Sequence, residues 1–481
     1  MHLRLKKQIT AYRYELIALL TGATVMMLEI VGARLIAPYF GTSIYVWTAM
    51  IGVILGALSI GFWYGGKLAD RDDSKNDMTL IIIIAAALIF LATIVQDFVL
   101  ESLANQRFDL RVSSFLAASI LFAPPSLLIG MVSPHLAKIR ITSLETTGAT
   151  IGRLEAAGAI GSIIGTFLSG YVLLSFFGAR TLSLLLVVVL VITSLLANRR
   201  RLLWPRIILV FLALIAAYGN PLPRDVVADI DSSYSRYQVK QTLYNGRQAN
   251  LLVMDGTSYQ SGAYLDGTNE PVFSYIRAMY ESAINYNSPK NILVIGGGAY
   301  TLPMVLAEAL PDSQVDVVEI DPVMDEIASN YFGFEKLSNI NIYHEDGRRY
   351  LNRHSEAYDL IFLDAFSSLT PPFHLTSREA VERIKKNLNP QGAVVVNVPG
   401  DYYGQLVGSI KQTYKSVFSH SSVYRANPNL SLEPRQNFLL VASSSMDPLV
   451  SATSELGESV PFATKGFVLT DDYAPVERLS F

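Results

Sequence analysis

The chain has 481 residues, of which 51% are hydrophobic and only 16% charged, against roughly 25% charged in ordinary soluble proteins; a plain soluble enzyme is excluded. The formal net charge of −3 hides an asymmetry: residues 1–219 carry 18 Lys and Arg against 11 Asp and Glu, leaving 20 against 30 for the remainder. With no cysteine there are no disulfides, thiolate nucleophiles or cysteine-held metals, and the histidines show no close helical pairing, so no metal site is expected.

Apolar stretches long enough to cross about 30 Å of hydrocarbon run over 16–37, 44–66, 78–96, 112–134, 156–177 and 181–197. A seventh, 202–219, is interrupted by Arg206 and is free of charge only from Ile207 to Gly219. Residues 1–219 are therefore expected to form an α-helical membrane bundle of about seven spans in the cell (inner) membrane. Basic residues alternate along the connections: Arg4, Lys6, Lys7 and Arg13 in the leader, Lys67, Arg71 and Lys75, then Lys138 and Arg140, then Arg199–Arg201 and Arg206. The intervening loops hold only Arg107, Arg111 and Arg180, which makes the N-terminus cytoplasmic. A fully crossing seventh stretch sends the C-terminal half outside; a re-entrant one keeps it inside.

Two small-residue series, Gly52, Gly56, Gly61, Gly65 and Ala157, Gly161, Gly165, Ser169, allow close helix approach. Glu29, Arg34 and Glu155 are intramembrane charges, which are functional candidates unless paired. Pro124-Pro125 should break the fourth span.

Residues 220–270 read as a linker and a small antiparallel β subdomain, with strands at Tyr237–Thr242, Asn250–Met254 and Ser258–Tyr264. Residues 271–481 read as an α/β domain. A helix over 271–285 precedes strands at Asn291–Ile295, Val315–Ile320, Ile340–His344, Leu360–Leu363 and Ala393–Val398, alternating with helices, the pattern of a parallel, doubly wound Rossmann-like sheet of the class I methyltransferase type. Ligands bind such sheets at the carboxyl ends of the strands. There stand Gly296-Gly297-Gly298, where the chain can approach a ligand; Glu319, placed to hold ribose hydroxyls; Asp346-Gly347, placed to accept an adenine amino proton; and Asp364. GGGAYT lacks the third glycine of the dinucleotide fingerprint, and the acids suit a cationic nucleoside, S-adenosylmethionine or its decarboxylated form.

The runs ILVIGGGAYT, VVEID, HEDGR and LIFLDAFSSLTPP, preceded by RQANLLVMDGTSYQ, resemble the spermidine synthase (polyamine aminopropyltransferase) family over about 230–445. EIVGARLIAPYFGTSIYVWTAMIGVILGALSIGFWYGGKLADR and the tail TDDYAPVE resemble its membrane-bound branch. The resemblance implies a thioadenosine pocket of Gln248, Gly296, Gly298, Glu319, Asp346, Gly347 and Pro371, with Asp364 as general base. The co-substrate it implies is decarboxylated S-adenosylmethionine, or S-adenosylmethionine, with methylthioadenosine released and no metal. Since that donor is made in the cytosol, the cytoplasmic face is favoured for the C-terminal half.

The chain also departs from the family. Its Tyr-His-Glu segment reads Tyr275-Ile276-Arg277, the aspartate after the triple glycine is Ala299, and the second acid of Asp-x-x-Asp is Ser367. These changes remove groups that hold a polyamine, so the acceptor is expected to be an amine other than plain putrescine, or a membrane-associated acceptor. Gln260, Tyr275, Arg277, Asp471 and Asp472 are the acceptor-site candidates, the last two as substitutes for the missing acids or as turn caps. Methyl transfer, cyclisation or lysis of S-adenosylmethionine is a second enzyme reading, and a non-catalytic membrane sensor or transporter a third. No basic stripe points to nucleic acid, and a homodimer is a possible assembly.

Overall fold

In the computed structural model the described residues are all but 1, 42, 72–73, 107, 199–201, 219–224, 257, 356, 366–370, 428, 432–434, 446–465 and 481. Ser367 and Arg199–Arg201 lie outside them. The chain folds as two compact units, a helical one of residues 1–221 with 230–233 and a C-terminal one of residues 222–229 with 234–481.

The helical unit comprises α1 (His2–Phe40), α2 (Ile44–Ala69), α3 (Ser74–Ala104), α4 (Leu110–Leu121), α5 (Ala123–Gly130), α6 (Val132–Arg140), α7 (Thr147–Leu168), a π-helical turn (Ser169–Leu173), α8 (Leu174–Phe176), α9 (Ala179–Ala197) and α10 (Leu203–Tyr218). Among the described residues, five helices are long and apolar enough to cross a membrane, and α4 with α5–α6 makes a sixth, bent by 51°. The bend falls just before Pro124 and Pro125, which occupy the first turn of α5, where proline costs least. The seventh expected span is the shorter α10, 16 residues.

Small residues set the packing. A Cβ on Gly61 would lie 2.1 Å from the Leu127 carbonyl oxygen of α5, and one on Gly161 1.9 Å from the Leu19 oxygen of α1, so both interfaces need glycine. Gly52 and Gly56, in the same sequence series, face open space.

Polar pairs fix the two ends of this bundle. At one end Arg34 of α1 lies 3.5 Å from Asp231 and donates to the Ser232 carbonyl at 2.6 Å. Asp231 also accepts the Ala179 backbone N–H at 2.8 Å, capping the positive end of α9. Asp97 near the end of α3 takes Tyr39 and Arg180 at the same end. At the other end Asn198 pairs with Asn76, and Arg206 of α10, 2% exposed, donates to the Ser194 and Asn198 carbonyls of α9 at 2.8 Å. A cation on the last carbonyls of a helix is electrostatically favourable, which is why an arginine is tolerated inside this apolar stretch.

The C-terminal unit carries two sheets. A four-stranded meander has order β1 (Val226–Asp231), β2 (Arg236–Tyr244), β3 (Arg247–Met254), β4 (Ser258–Tyr264). After α11 (Ser274–Ile284) come β5 (Asn291–Ile295), α12 (Thr301–Ala309), β6 (Gln314–Glu319), α13 (Val323–Tyr331), β7 (Ile340–His344), α14 (Gly347–Arg353) and β8 (Tyr358–Leu363). Then follow α15 (Phe373–Thr376), α16 (Arg378–Lys386), β9 (Leu388–Gly400), α17 (Gln405–Lys415), β10 (His420–Arg425), β11 (Gln436–Ser443) and α18 (Val476–Ser480).

The second sheet has seven strands in the order β10-β11-β9-β8-β5-β6-β7. The expectation of a parallel sheet holds for β5 to β9, but β11 runs antiparallel to β9 and β10 antiparallel to β11, so the sheet is mixed. The central strands are buried on both faces, Ile292–Ile295 and Ala393–Val396 at 0–1% exposure, hence their continuous apolar runs. Each such Val or Ile contributes about 1.5–3 kcal/mol by burial. Chain order reverses between β5 and β8, and this switch point is where the carboxyl-end residues converge.

Candidate active site

The turn after β5 is shaped by what cannot be there. Gly296 has φ +95° and a Cβ on it would sit 2.5 Å from the backbone oxygen of Asp364. The Asp364 N–H in turn donates to the Ile295 carbonyl at 2.8 Å, so the glycine turn and the end of β8 are one continuous backbone contact. Gly298, φ +51°, would push a Cβ onto Ser261 of β4, whose Oγ accepts the Ala299 N–H at 3.0 Å. Ser261 carries no sequence signal, because pairing between the small sheet and the turn leaves no local pattern.

Glu319, at the end of β6, is buried and accepts N–H donors from Gly297 at 2.8 Å, Gly298 at 3.2 Å and Asp321 at 2.9 Å. Burial raises its pKa, opposed by those three donors. A carboxylate fixed in this way against the glycine turn is preorganised toward whatever the turn admits.

Asp364 receives the Asn397 amide at 2.8 Å. The Tyr275 phenol is buried beside the Asp364 carboxylate and the Gln260 carbonyl, the latter 2.8 Å from its hydroxyl, and its single proton can serve either acceptor. Desolvation pushes Asp364 up to about 7, with the Asn397 and Tyr275 hydrogen bonds acting against it. The Tyr275 hydroxyl is itself held well above its ordinary value by burial and by the neighbouring Asp364 charge, so it stays a donor. Asn397 is absent from the candidates read off the sequence: it sits in a strand that reads as apolar, yet a lone amide in such a strand needs a partner, and that is the available signal.

Asp346 caps α14 through the Arg349 N–H at 2.9 Å, and its other oxygen meets His374 Nε2 at 3.1 Å. Gly347 packs against Ile295 too closely for any Cβ, 2.6 Å from Cγ2. Pro371 is buried. Asp471 pairs with Arg348 at 3.0 Å and takes the Ser377 hydroxyl, and Arg348 donates to the His374 carbonyl at 3.1 Å. The tail thus reaches the Asp346 corner through Arg348, while Asp472 is exposed in a turn closed by Thr470 and Tyr473.

Arg277 pairs with Glu270 at 3.4 Å and donates to the Pro271 carbonyl, so its charge is already met. Gln248 is exposed on β3. Among the described residues no group of three or more acidic or histidine side chains forms a metal site.

A family model described as the spermine/spermidine synthase domain matches residues 272–430, the stretch that holds the glycine turn, Glu319, Asp346 and Asp364. Residues 272–430 are thus similar to a spermine/spermidine synthase domain. The chain is 35% identical over 167 residues to a polyamine aminopropyltransferase of Vibrio vulnificus, covering 34% of this chain and 55% of that protein. It is 30% identical over 142 residues to the eEF1A lysine and N-terminal methyltransferase of Homo sapiens, covering 27% of this chain and 20% of the relative. A solved structure, a probable spermidine synthase from Corynebacterium glutamicum, aligns with a TM-score of 0.42 at 23% identity, covering 47% of this chain and 81% of that one. The chain thus spans about half the length of the Vibrio synthase, and 35% of a probable polyamine aminopropyl transferase of Bifidobacterium longum.

Proposed function

We propose that the C-terminal unit is an aminopropyltransferase that uses decarboxylated S-adenosylmethionine and releases methylthioadenosine. Asp364 takes a proton from the acceptor ammonium, the freed amine nitrogen attacks the aminopropyl carbon bonded to the sulfonium, and that C–S bond breaks with its electron pair going to sulfur, leaving the product as a secondary ammonium. The carrying observation is Asp364 itself: a desolvated carboxylate raised to about 7, at the switch point and joined through backbone to the glycine turn. An alkylamine with pKa near 10 is mostly protonated at neutral pH, and a base tuned near the working pH removes a proton most effectively. The sulfonium is its own leaving group, so the rest of the site aligns the reactants.

Glu319 and the Gly297–Gly298 turn are assigned to the ribose end of the donor, Asp346 and Pro371 to the adenine. The acceptor is read as an amine other than plain putrescine, because Ala299 is buried and apolar and Arg277 is engaged by Glu270. Methyl transfer from intact S-adenosylmethionine is the second reading, favoured by the likeness to the human methyltransferase. Turnover assays with each donor separate them: methylthioadenosine from the decarboxylated donor only when an amine is present supports aminopropyl transfer, whereas adenosylhomocysteine from S-adenosylmethionine establishes methyl transfer instead.

We further infer that the helical unit is embedded in a membrane and that the chain leaves it on the face opposite its N-terminus, against the placement favoured from the donor's origin. What supports this is the bundle's own geometry. Arg206 lies at the end where α9 finishes, and Asp231 at the end where α9 begins, so these two residues stand at opposite ends of the bundle. The basic end, with Arg140 on Glu15 and Lys138 on Asp70, is the cytoplasmic one by the positive-inside rule. A donor made in the cytosol then has to cross before it reacts. Because the chain has no cysteine, single cysteines report placement cleanly: in intact spheroplasts an impermeant maleimide is expected to label Asp472→Cys and spare Ser143→Cys. The reverse pattern returns the C-terminal unit to the cytoplasm.

A further inference from the structure

Within the helical unit lies a cavity of about 280 Å³ that the C-terminal chemistry does not use. Its walls come from α1, α2, α5, α6 and α7, and are apolar or small, among them Ala18, Val25, Leu58, Phe62, Ile129 and Leu154. The α1 contribution, Ala18, Thr21, Gly22 and Val25, is one helical face. Two hydroxyls on the lining are spent on backbone: Thr21 on the Ile17 and Ala18 carbonyls, Ser162 on that of Gly22. One charged side chain lines the space, Glu155 of α7. It accepts the Ser133 hydroxyl at 2.9 Å and has no ion pair among the described residues. Glu155 both lines the cavity and is itself exposed, so its carboxylate stands at the opening.

We propose that this cavity is a binding site for a primary alkylamine carrying one positive charge on an apolar body. An ammonium on Glu155 adds a charge-assisted hydrogen bond to a carboxylate that already accepts the Ser133 hydroxyl, and an alkyl chain covers the Leu, Phe and Ile walls. A neutral alcohol of the same length forgoes the charge. A diamine would leave its second ammonium unpaired against hydrocarbon, which is costly, so the cavity selects against short polyamines. The proposal stands on the helical unit alone and is independent of the reaction assigned to Asp364.

The packing offers a clean way to close the site. A Cβ on Gly158 meets only the Ala18 oxygen at 3.8 Å, ordinary contact, so the first carbon of a larger side chain is accommodated at this lining position; Gly22, by contrast, has the Gly158 oxygen 2.2 Å from its Cβ position. The test is titration calorimetry of the full chain in nanodiscs with hexylamine, hexanol and putrescine. Saturable hexylamine binding is expected, with hexanol and putrescine weaker by about tenfold or more. Glu155→Gln should cost hexylamine about tenfold and leave hexanol unchanged, whereas Gly158→Leu should weaken both. Hexylamine binding that is absent, no tighter than hexanol, or indifferent to Glu155→Gln overturns the proposal. Amine bound at the C-terminal site would also be indifferent to that change and so counts against it. Should Gly158→Leu misfold, the Glu155→Gln comparison decides.

Discussion

Asp364→Asn is expected to lower kcat/KM by about 10²–10⁴-fold, the range for losing a positioned general base, while making the folded protein more stable. The two effects share one cause. Desolvation raises the Asp364 carboxyl to about 7, so at neutral pH and above the fold holds a carboxylate that would be better solvated in the unfolded chain. A carboxyl with a raised folded pKa contributes most to stability below its unfolded value near 4, and that contribution is lost as pH rises toward about 7. Asparagine keeps the shape and can still accept from Asn397, but carries no charge at any pH. The stability gain should therefore appear in thermal melts at pH 8 and vanish near pH 4. Wild-type kcat/KM should fall as pH drops through about 7, because the base is then protonated. A residue that only braced the turn would show a loss of stability and no such pH profile. Full activity in the variant would remove Asp364 from the mechanism.

Gly296→Ala is the second large effect. Its φ of +95° is left-handed territory, worth about 1–2 kcal/mol against a residue with a Cβ. The added methyl also stands 2.5 Å from the Asp364 oxygen and 2.7 Å from the Ala365 nitrogen, both backbone atoms. Neither can rotate away, so overpacking adds about 1–3 kcal/mol. The total, about 2–5 kcal/mol, is a large fraction of the marginal stability of a domain. Relief can come only from moving the end of β8, which moves Asp364. Urea unfolding and kcat should both be hit. Gly267→Ala is the control: φ is +82° but nothing lies within 4 Å, so only the backbone cost of about 1–2 kcal/mol applies and kcat should hold. Equal losses at the two positions would mean that the close approach at Gly296 has no special role.

The elements most legible in the sequence are those whose environment is uniform. β5 and β7 have the expected limits, Asn291–Ile295 and Ile340–His344: β5 because a strand buried in a parallel sheet is an unbroken apolar run ended by a turn, and β7, the edge strand, because Ile340 and Ile342 alternate with Asn341 and lead into the Glu345–Gly347 turn. The Gly296–Gly298 turn follows from the end of β5, Glu319 from that of β6 and Asp364 from that of β8, since the residues at or just past the strand ends are the ones at the carboxyl edge. What the sequence hides depends on distant partners. β11 pairs with β9 across a long separation and β10 with β11, and His420–Arg425 alternates too weakly to announce an edge strand. Asp231 gives no local sign that it caps α9 and meets Arg34. Arg277 reads as available to a ligand because Glu270, seven residues earlier, is not on its helix; only the fold brings the two within 3.4 Å.

The most direct measurement follows the transferred group. Purified full-length protein is incubated with decarboxylated S-adenosylmethionine and an amine acceptor, and both products are identified by mass spectrometry beside the Asp364→Asn protein. Aminopropyl transfer predicts methylthioadenosine and aminopropylated amine in equal amounts, both dependent on Asp364. Methylthioadenosine formed without any modified amine, or a modified amine formed equally well by the Asp364→Asn protein, would contradict it.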